Sequence, residues 1–255
     1  MNQNNSGFLS SIPPVTRNLL IINVLVWLAQ FLFLQRGIDV SDTFGLHYFK
    51  SQDFHWYQVI TYMFLHDPRS IAHVLFNMFA VFMFGRVLET IWGPKKFLIY
   101  YLVCGLGAAL VQILVIHLRV QALSVDVPTE ILHDIYTKGA DILRNNQNYT
   151  NETIGSLNLL VNISTVGASG AVFGILVAFG MIFPNVELMI MFIPIPIKAK
   201  WFVLGYGVVE LLLGFGNFSG DNVAHFAHLG GLFTGLIMLL YWRKKGTLHG
   251  NLRQH

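Results

Sequence analysis

Three short stretches place residues that can do chemistry inside an otherwise apolar chain. "GASGAVFG", Gly167 to Gly174, sets Ser169 among small residues; "AHLGGLFTG", Ala227 to Gly235, holds His228; "HVLFN" holds His73 and Asn77. A hydroxyl beside an imidazole is the minimum arrangement for an activated serine. The imidazole takes the proton as oxygen attacks a carbonyl, then returns it to the leaving amine. The oxyanion that develops needs donors. Backbone N–H groups at the start of a helix lack intrahelical partners and sit at its positive end. Asn77, one turn after His73 on the same helix face, can add its side-chain amide, with His73 as a second donor or orienter. One such donor is worth about 10²- to 10³-fold in rate.

These residues can act only if the elements that carry them bring them together. The chain has 255 residues, 54% hydrophobic and 11% charged, against about 25% charged in an ordinary soluble domain. Apolar runs of roughly 17 to 25 residues, long enough to cross the hydrocarbon of a bilayer, recur at 18–35, 71–92, 97–118, 167–183, 201–217 and 223–242. Each is predicted to be a helix, because lipid offers the backbone no hydrogen-bond partner. The first run follows Pro13, Pro14 and Arg17, is long for a signal peptide and lacks a small-residue cleavage site, so it reads as a span. The single cysteine, Cys104, lies in the third run, which excludes an intrachain disulfide.

Charge predicts the orientation. Arg17, Lys95, Lys96, Lys198, Lys200, Arg243, Lys244, Lys245 and Arg253 fall on one side of the alternating spans, with Glu187 as that side's acidic residue. All eight aspartates fall on the other. The positive-inside rule then makes both termini cytoplasmic, and a plasma (inner) membrane is the expected location. The net charge of +3 marks topology, and no basic stripe with interleaved aromatics suggests a nucleic-acid partner.

With that alternation, spans two, four and six all run inwards, and their first turns share one leaflet. At 1.5 Å of rise per residue, Ser169 lies roughly 5 Å and His228 roughly 5 to 10 Å below the outer boundary. Gly170 with Gly174, and Gly231 with Gly235, form small-xxx-small pairs that let helix backbones approach closely. Phe173, one turn after Ser169, can hold the imidazole by stacking. No aspartate is within reach of His228 by this topology, so a dyad without a carboxylate member is expected.

Other readings of the same residues remain open. A serine among glycines in a membrane helix is commonly packing glue bonded to a backbone carbonyl. His225 and His228, with His73, have the spacing of metal ligands, but no cysteine or carboxylate is expected at their depth, and none of the site is assigned to a metal. Glu210 in span five and the Arg86, Glu89 pair late in span two could serve an ion path. They read better as a buried hydrogen-bonding group and an inner-interface ion pair.

The three stretches, in order and on alternate spans, resemble the signature motifs of the rhomboid family of intramembrane serine proteases, over about residues 17 to 245. The resemblance implies an all-α membrane protein with a six-transmembrane-helix rhomboid-like bundle. It implies Ser169 as nucleophile, His228 as general base, and His73 and Asn77 with the Ser169 N–H as the oxyanion site. Gly167, which opens the second motif, the four paired glycines and Phe173 would support the site. Glu89, sixteen residues after His73, matches a family glutamate that ties helix ends together. Tyr57-Gln58 stands where many members have Trp-Arg, which leaves the anchoring of that loop open. The implied reaction is hydrolysis of a peptide bond in or near the transmembrane helix of a single-span or multi-span membrane protein, approached through the lipid bilayer and needing no cofactor.

The expected organisation is a cytoplasmic segment over 1–16, a membrane protease domain over 17–245 and a cytoplasmic tail over 246–255. Two outside loops are too long to be turns. The first, 36–70, carries "FHWYQVITYMFLH" and is expected to lie in the interface or partly in the membrane. The second, 119–166, is polar and Asn-rich, with helix-like apolar spacing in "VPTEILHDIYTKGADILRN". The connection "ELMIMFIPIPIKAKW" is broken by Pro194 and Pro196, which excludes a continuous helix and predicts an extended segment.

Overall fold

The structure, a computed structural model, describes residues 8–190, 193–216 and 224–248. The start of the expected N-terminal segment, the end of the tail and the limits of spans five and six at 217 and 223 lie outside the described residues. Among the described residues, eight helices of ten or more residues and one hairpin follow in chain order: α1 (Pro14–Leu34), α2 (Ile71–Trp92), α3 (Pro94–Leu123), α4 (Thr129–Arg144), α5 (Glu152–Asn162), α6 (Ser169–Ile182), β1 (Glu187–Ile190), β2 (Ile193–Lys198), α7 (Ala199–Gly216) and α8 (His225–Lys244). The chain is mostly helical. Five of these helices, α1, α2, α3, α7 and α8, are long and apolar enough to cross a membrane.

The fourth expected span is shorter than predicted. α6 has 14 residues, which at 1.5 Å each is about 21 Å, less than the roughly 30 Å of hydrocarbon. Twelve of the fourteen are buried, so α6 is walled by other helices and need not reach both faces itself. The non-helical chain leading into it is held by protein, as irregular backbone in a bilayer must be. Leu46 and Thr165 exchange a pair of backbone hydrogen bonds, and Gly167 N–H donates to the Tyr62 carbonyl at 3.0 Å.

Helix ends are set by local chemistry. Pro14 opens α1 and Pro94 opens α3, where a missing N–H costs nothing. Gly93, at φ +79°, makes the corner between α2 and α3. Midway along α2, residues Val81–Gly85 widen into a π-type turn. α1 has no side-chain cap of its own, and Glu89 supplies one from 73 residues downstream. Its Oε1 accepts from Val15 N–H at 2.9 Å, and its Oε2 accepts from Thr16 N–H at 2.7 Å and from Thr16 Oγ1 at 2.8 Å. The inner-interface ion pair expected of Arg86 and Glu89 is therefore replaced. The carboxylate faces the α1 N-terminus, and the Arg86 guanidinium lies over the Phe82 ring.

Residues 119–166 form a small second core rather than a loop. α4 answers the predicted surface helix, and α5 was not predicted. The two pack with the far end of α3 around Tyr48, Ile116, Val120, Ile135, Leu157 and Val161. Asparagines satisfy the polar groups this buries. Asn151 Oδ1 caps α5 by accepting from Thr153 and Ile154 N–H, and Asn162 Nδ2 donates to the Ile135 carbonyl at 3.0 Å and to Asn158 Oδ1 at 2.9 Å. Ser51 Oγ donates to Asn162 Oδ1 at 2.7 Å, which joins this cap to the first loop. Arg144 adds contacts to Asp42, Asp53 and Asp141.

The first loop takes its anchor from Gln58, the residue at the Trp-Arg position. Fully buried, it accepts from His47 N–H at 3.3 Å and donates to the Thr43 and Asp53 carbonyls at 3.1 and 2.7 Å. Trp56 in the same loop is largely exposed, as a residue at a lipid interface can be. The Pro-broken connection is extended, as expected, but its two arms pair antiparallel, with Glu187 opposite Lys198 and Leu188 opposite Ile197.

Glu89→Ala removes two acceptor oxygens and the three hydrogen bonds they receive, and leaves buried donors without partners. It is expected to lower stability by about 3 kcal/mol, read as an earlier unfolding midpoint in a detergent denaturation series. Arg86→Ala should shift that midpoint far less.

Candidate active site

Ser169 is the first residue of α6 and His228 the fourth of α8. The structure brings them to one point: Ser169 Oγ lies 2.8 Å from His228 Nε2. The approach depends on glycine. A Cβ on Gly231 would stand on the carbonyl oxygen of Gly170, and one on Gly174 would run into Cys104 of α3 and come within 3.4 Å of the Gly231 carbonyl. A Cβ on Gly235 would be 3.1 Å from Gly174 Cα, and one on Gly170 would meet Ala108 of α3 and lie 3.3 Å from the Ala227 carbonyl. Both small-xxx-small pairs thus lie at backbone contact between α6 and α8. Phe173 lies parallel to the His228 ring, with centroids 4.5 Å apart and an interplanar angle of 11°.

Gly167 has φ +136°, a backbone state that a side chain would strain. The point where its Cβ would stand is 3.1 Å from His73 Nε2 and 3.3 Å from Ser169 Oγ. Bare backbone there keeps open the space between the nucleophile candidate and the first donor candidate. Asp67 N–H approaches His73 Nδ1 at 3.4 Å. That contact has Nδ1 accepting, which leaves the proton of the neutral ring on Nε2, facing Gly167 and Ser169. Asn77 is buried, and one N–H of its amide donates to the His73 carbonyl at 2.9 Å. Its other N–H is available to a substrate oxygen.

The expectation that no carboxylate reaches His228 is overturned. Glu210 of α7 places Oε2 2.9 Å from His228 Nδ1 and 2.6 Å from His225 Nδ1. The sequence carried a signal for it. Glu210 lies six residues before the end of α7 and His228 three after the start of α8, so the two lie near one depth, whereas the described aspartates all fall outside the spanning helices. The group with metal-ligand geometry is correspondingly Glu210, His225 and His228, their ligand atoms within 4.8 Å of one another. His73, the expected third histidine, is not in it.

Behind His73 sits a residue the sequence reading did not single out. His66, fully buried and outside the spanning helices, packs its ring edge-on to His73 with centroids 5.1 Å apart, and neither of its nitrogens has a hydrogen-bond partner among the described residues. Burial first, and the neighbouring His73 second, push its pKa down from 6.5 to about 3. Its position directly before the Asp-Pro turn was the available signal.

A family model described as the Rhomboid domain matches residues 53–245. The chain belongs to the rhomboid family. This rhomboid is 24% identical over 241 residues to "Rhomboid-like protein 11, chloroplastic" of Arabidopsis thaliana, covering 87% of this chain and 62% of that one. It is 31% identical over 108 residues to "Rhomboid protease GlpG" of Haemophilus influenzae, covering 42% of this chain and 53% of that one. The alignments thus span less than two thirds of the length of either relative. Family and apolar helices together make the rhomboid a multi-pass integral membrane protein.

Two outcomes are expected. Gly231→Val pushes α8 away from α6, and labelling of the protein by a fluorophosphonate serine probe slows by about 10²-fold or more, since a displacement near 1 Å has that effect. Lowering the pH from 6.5 towards 3 lets the unfolded chain protonate His66 while the folded protein does not. Stability then falls by up to about 1.4 kcal/mol per pH unit. His66→Gln removes that part of the slope in thermal unfolding followed across the same range.

Proposed function

We propose that this rhomboid is an intramembrane serine endopeptidase, with Ser169 as nucleophile and His228 as general base. The observation that supports the reading best is the 2.8 Å contact between Ser169 Oγ and His228 Nε2 in a site walled by apolar helices. The oxygen donates its proton to Nε2 as it attacks the scissile carbonyl. The oxyanion is received by the Ser169 N–H at the α6 N-terminus, the His73 Nε2–H and the free N–H of Asn77. Collapse of the tetrahedral intermediate passes the proton from His228 to the leaving amine and leaves an acyl-enzyme. Water, activated by the same imidazole, then releases the new carboxyl end.

The substrates proposed are single-span or multi-span membrane proteins. Ser169 lies at the head of a buried helix inside a bundle whose outer helices expose Leu, Ile and Phe to lipid. A chain that arrives must therefore come laterally through the bilayer, and small residues at the scissile bond with a helix-weakening segment beyond it fit such a site. The proposed domain runs over 17–245, in a plasma (inner) membrane with both termini cytoplasmic; the loop charges support that orientation. The proposed chemistry uses side chains and backbone throughout and needs no cofactor.

The test is cleavage of a single-span substrate by purified protein in detergent, with products sized by mass spectrometry. Wild type is expected to cut once near the membrane boundary. Ser169→Ala and His228→Ala are each expected to lose about 10⁴-fold or more, and Asn77→Ala about 10²- to 10³-fold. Cleavage that persists in both Ser169→Ala and His228→Ala would overturn the reading.

A further inference from the structure

The mechanism above leaves one buried carboxylate unexplained. Glu210 is 3% exposed, on a helix read as crossing the membrane, where an ionisable side chain is costly and is kept for a purpose. It meets no lysine or arginine side chain among the described residues. Two histidines instead converge on the same oxygen, His225 Nδ1 at 2.6 Å and His228 Nδ1 at 2.9 Å.

Protonation follows from the chain of contacts. The Ser169 hydroxyl can donate to His228 Nε2 only if that nitrogen is bare. The single proton of the neutral ring then sits on Nδ1, and Glu210 Oε2 is there to accept it. We infer that Glu210 is a positioning residue that turns the Ser169–His228 pair into a Glu210–His228–Ser169 relay, holding the base in its reactive tautomer and stabilising the imidazolium that forms. The inference rests on the serine endopeptidase reading of this site.

The proton balance is closed within the site. The Oγ proton moves to His228 Nε2, the Nδ1 proton stays on the ring while Glu210 remains a carboxylate, and the Nε2 proton leaves on the amine. His225 gives a second N–H to Oε2 and keeps that oxygen aimed at α8. Phe173 closes one face of the His228 ring, so the imidazole is fixed by a stack across its plane and a hydrogen bond at its rear. Among the described residues, the other ionisable groups around the relay are Tyr206, one turn before Glu210 on α7, His73 of α2, on the far side of Ser169, and Tyr62 and Cys104, which pack against α6 at Gly170 and Gly174. α6 contributes none.

The test compares wild type, Glu210→Gln, Glu210→Asp and Ser169→Ala on one single-span substrate, with kcat and KM measured between pH 5 and 9. Glu210→Gln is expected to lower kcat by about 10²-fold or more with KM little changed. It should also change the pH profile of kcat/KM, because the base loses the carboxylate at its rear. Glu210→Asp should restore part of kcat. A Glu210→Gln variant with wild-type kcat and an unmoved pH profile, beside an inactive Ser169→Ala, overturns the relay and leaves the protease reading standing. Activity in Ser169→Ala overturns the protease reading itself. Nitrogen-15 spectra of histidine-labelled wild type, with His228→Ala to assign the signal, need no Glu210 variant to fold. Neutral His228 protonated at Nδ1 supports the relay, and protonation at Nε2 overturns it.

Discussion

At Gly170 and Gly231 two helix backbones touch, and the rest of the site inherits its geometry from that contact. Hydrocarbon gives helices no hydrophobic reason to associate, so close packing and interhelical polar contacts must hold them together. Ser169 stands one residue before Gly170, and His228 three before Gly231, so the distance between hydroxyl and imidazole is set by how near the backbones can come. α3 completes the arrangement with small residues of its own. A Cβ on Gly230 would lie 3.0 Å from both Ala108 Cα and the Gly107 carbonyl. Polar clasps reinforce the contact: Tyr100 of α3 donates to the Gly174 carbonyl at 2.8 Å, and Tyr62 donates to Gly105 at 2.7 Å.

Most of the helices were legible because the bilayer's demand is simple: about twenty apolar residues and no unsatisfied backbone. The same rule misled at α6. Its hydrophobicity reports burial in protein as much as contact with lipid, and a central helix can be short when its neighbours supply the walls. α5 was hidden for the opposite reason. Its buried positions include Asn158 and Asn162, which read as loop residues until their partners, Ile135, Asn148 and Ser51, are seen. The hairpin was half legible: proline excludes helix from local sequence, but strand pairing is a non-local fact.

The candidate site divides in a similar way. The meeting of Ser169 and His228 could be anticipated from depth and from spaced glycines, which are properties of single helices. Glu210 escaped because carboxylates were sought among aspartates, which among the described residues fall outside the spanning helices, while the glutamate faces inward from a neighbouring span. Arg86 and Glu89 illustrate the limit of spacing arguments. Residues three apart on a helix can pair, yet Glu89 finds better partners in the open N–H groups of α1, which no local pattern reveals.

That long-range cap also bears on biogenesis. The N–H groups of Val15 and Thr16 are made early in synthesis, and the carboxylate that satisfies them belongs to the far end of the second span. Until that end has been delivered to the membrane, α1 must leave its first turn to water or headgroups. Most of its surface faces away from the bundle, so that glutamate is one of the few ties that make the first helix part of the fold.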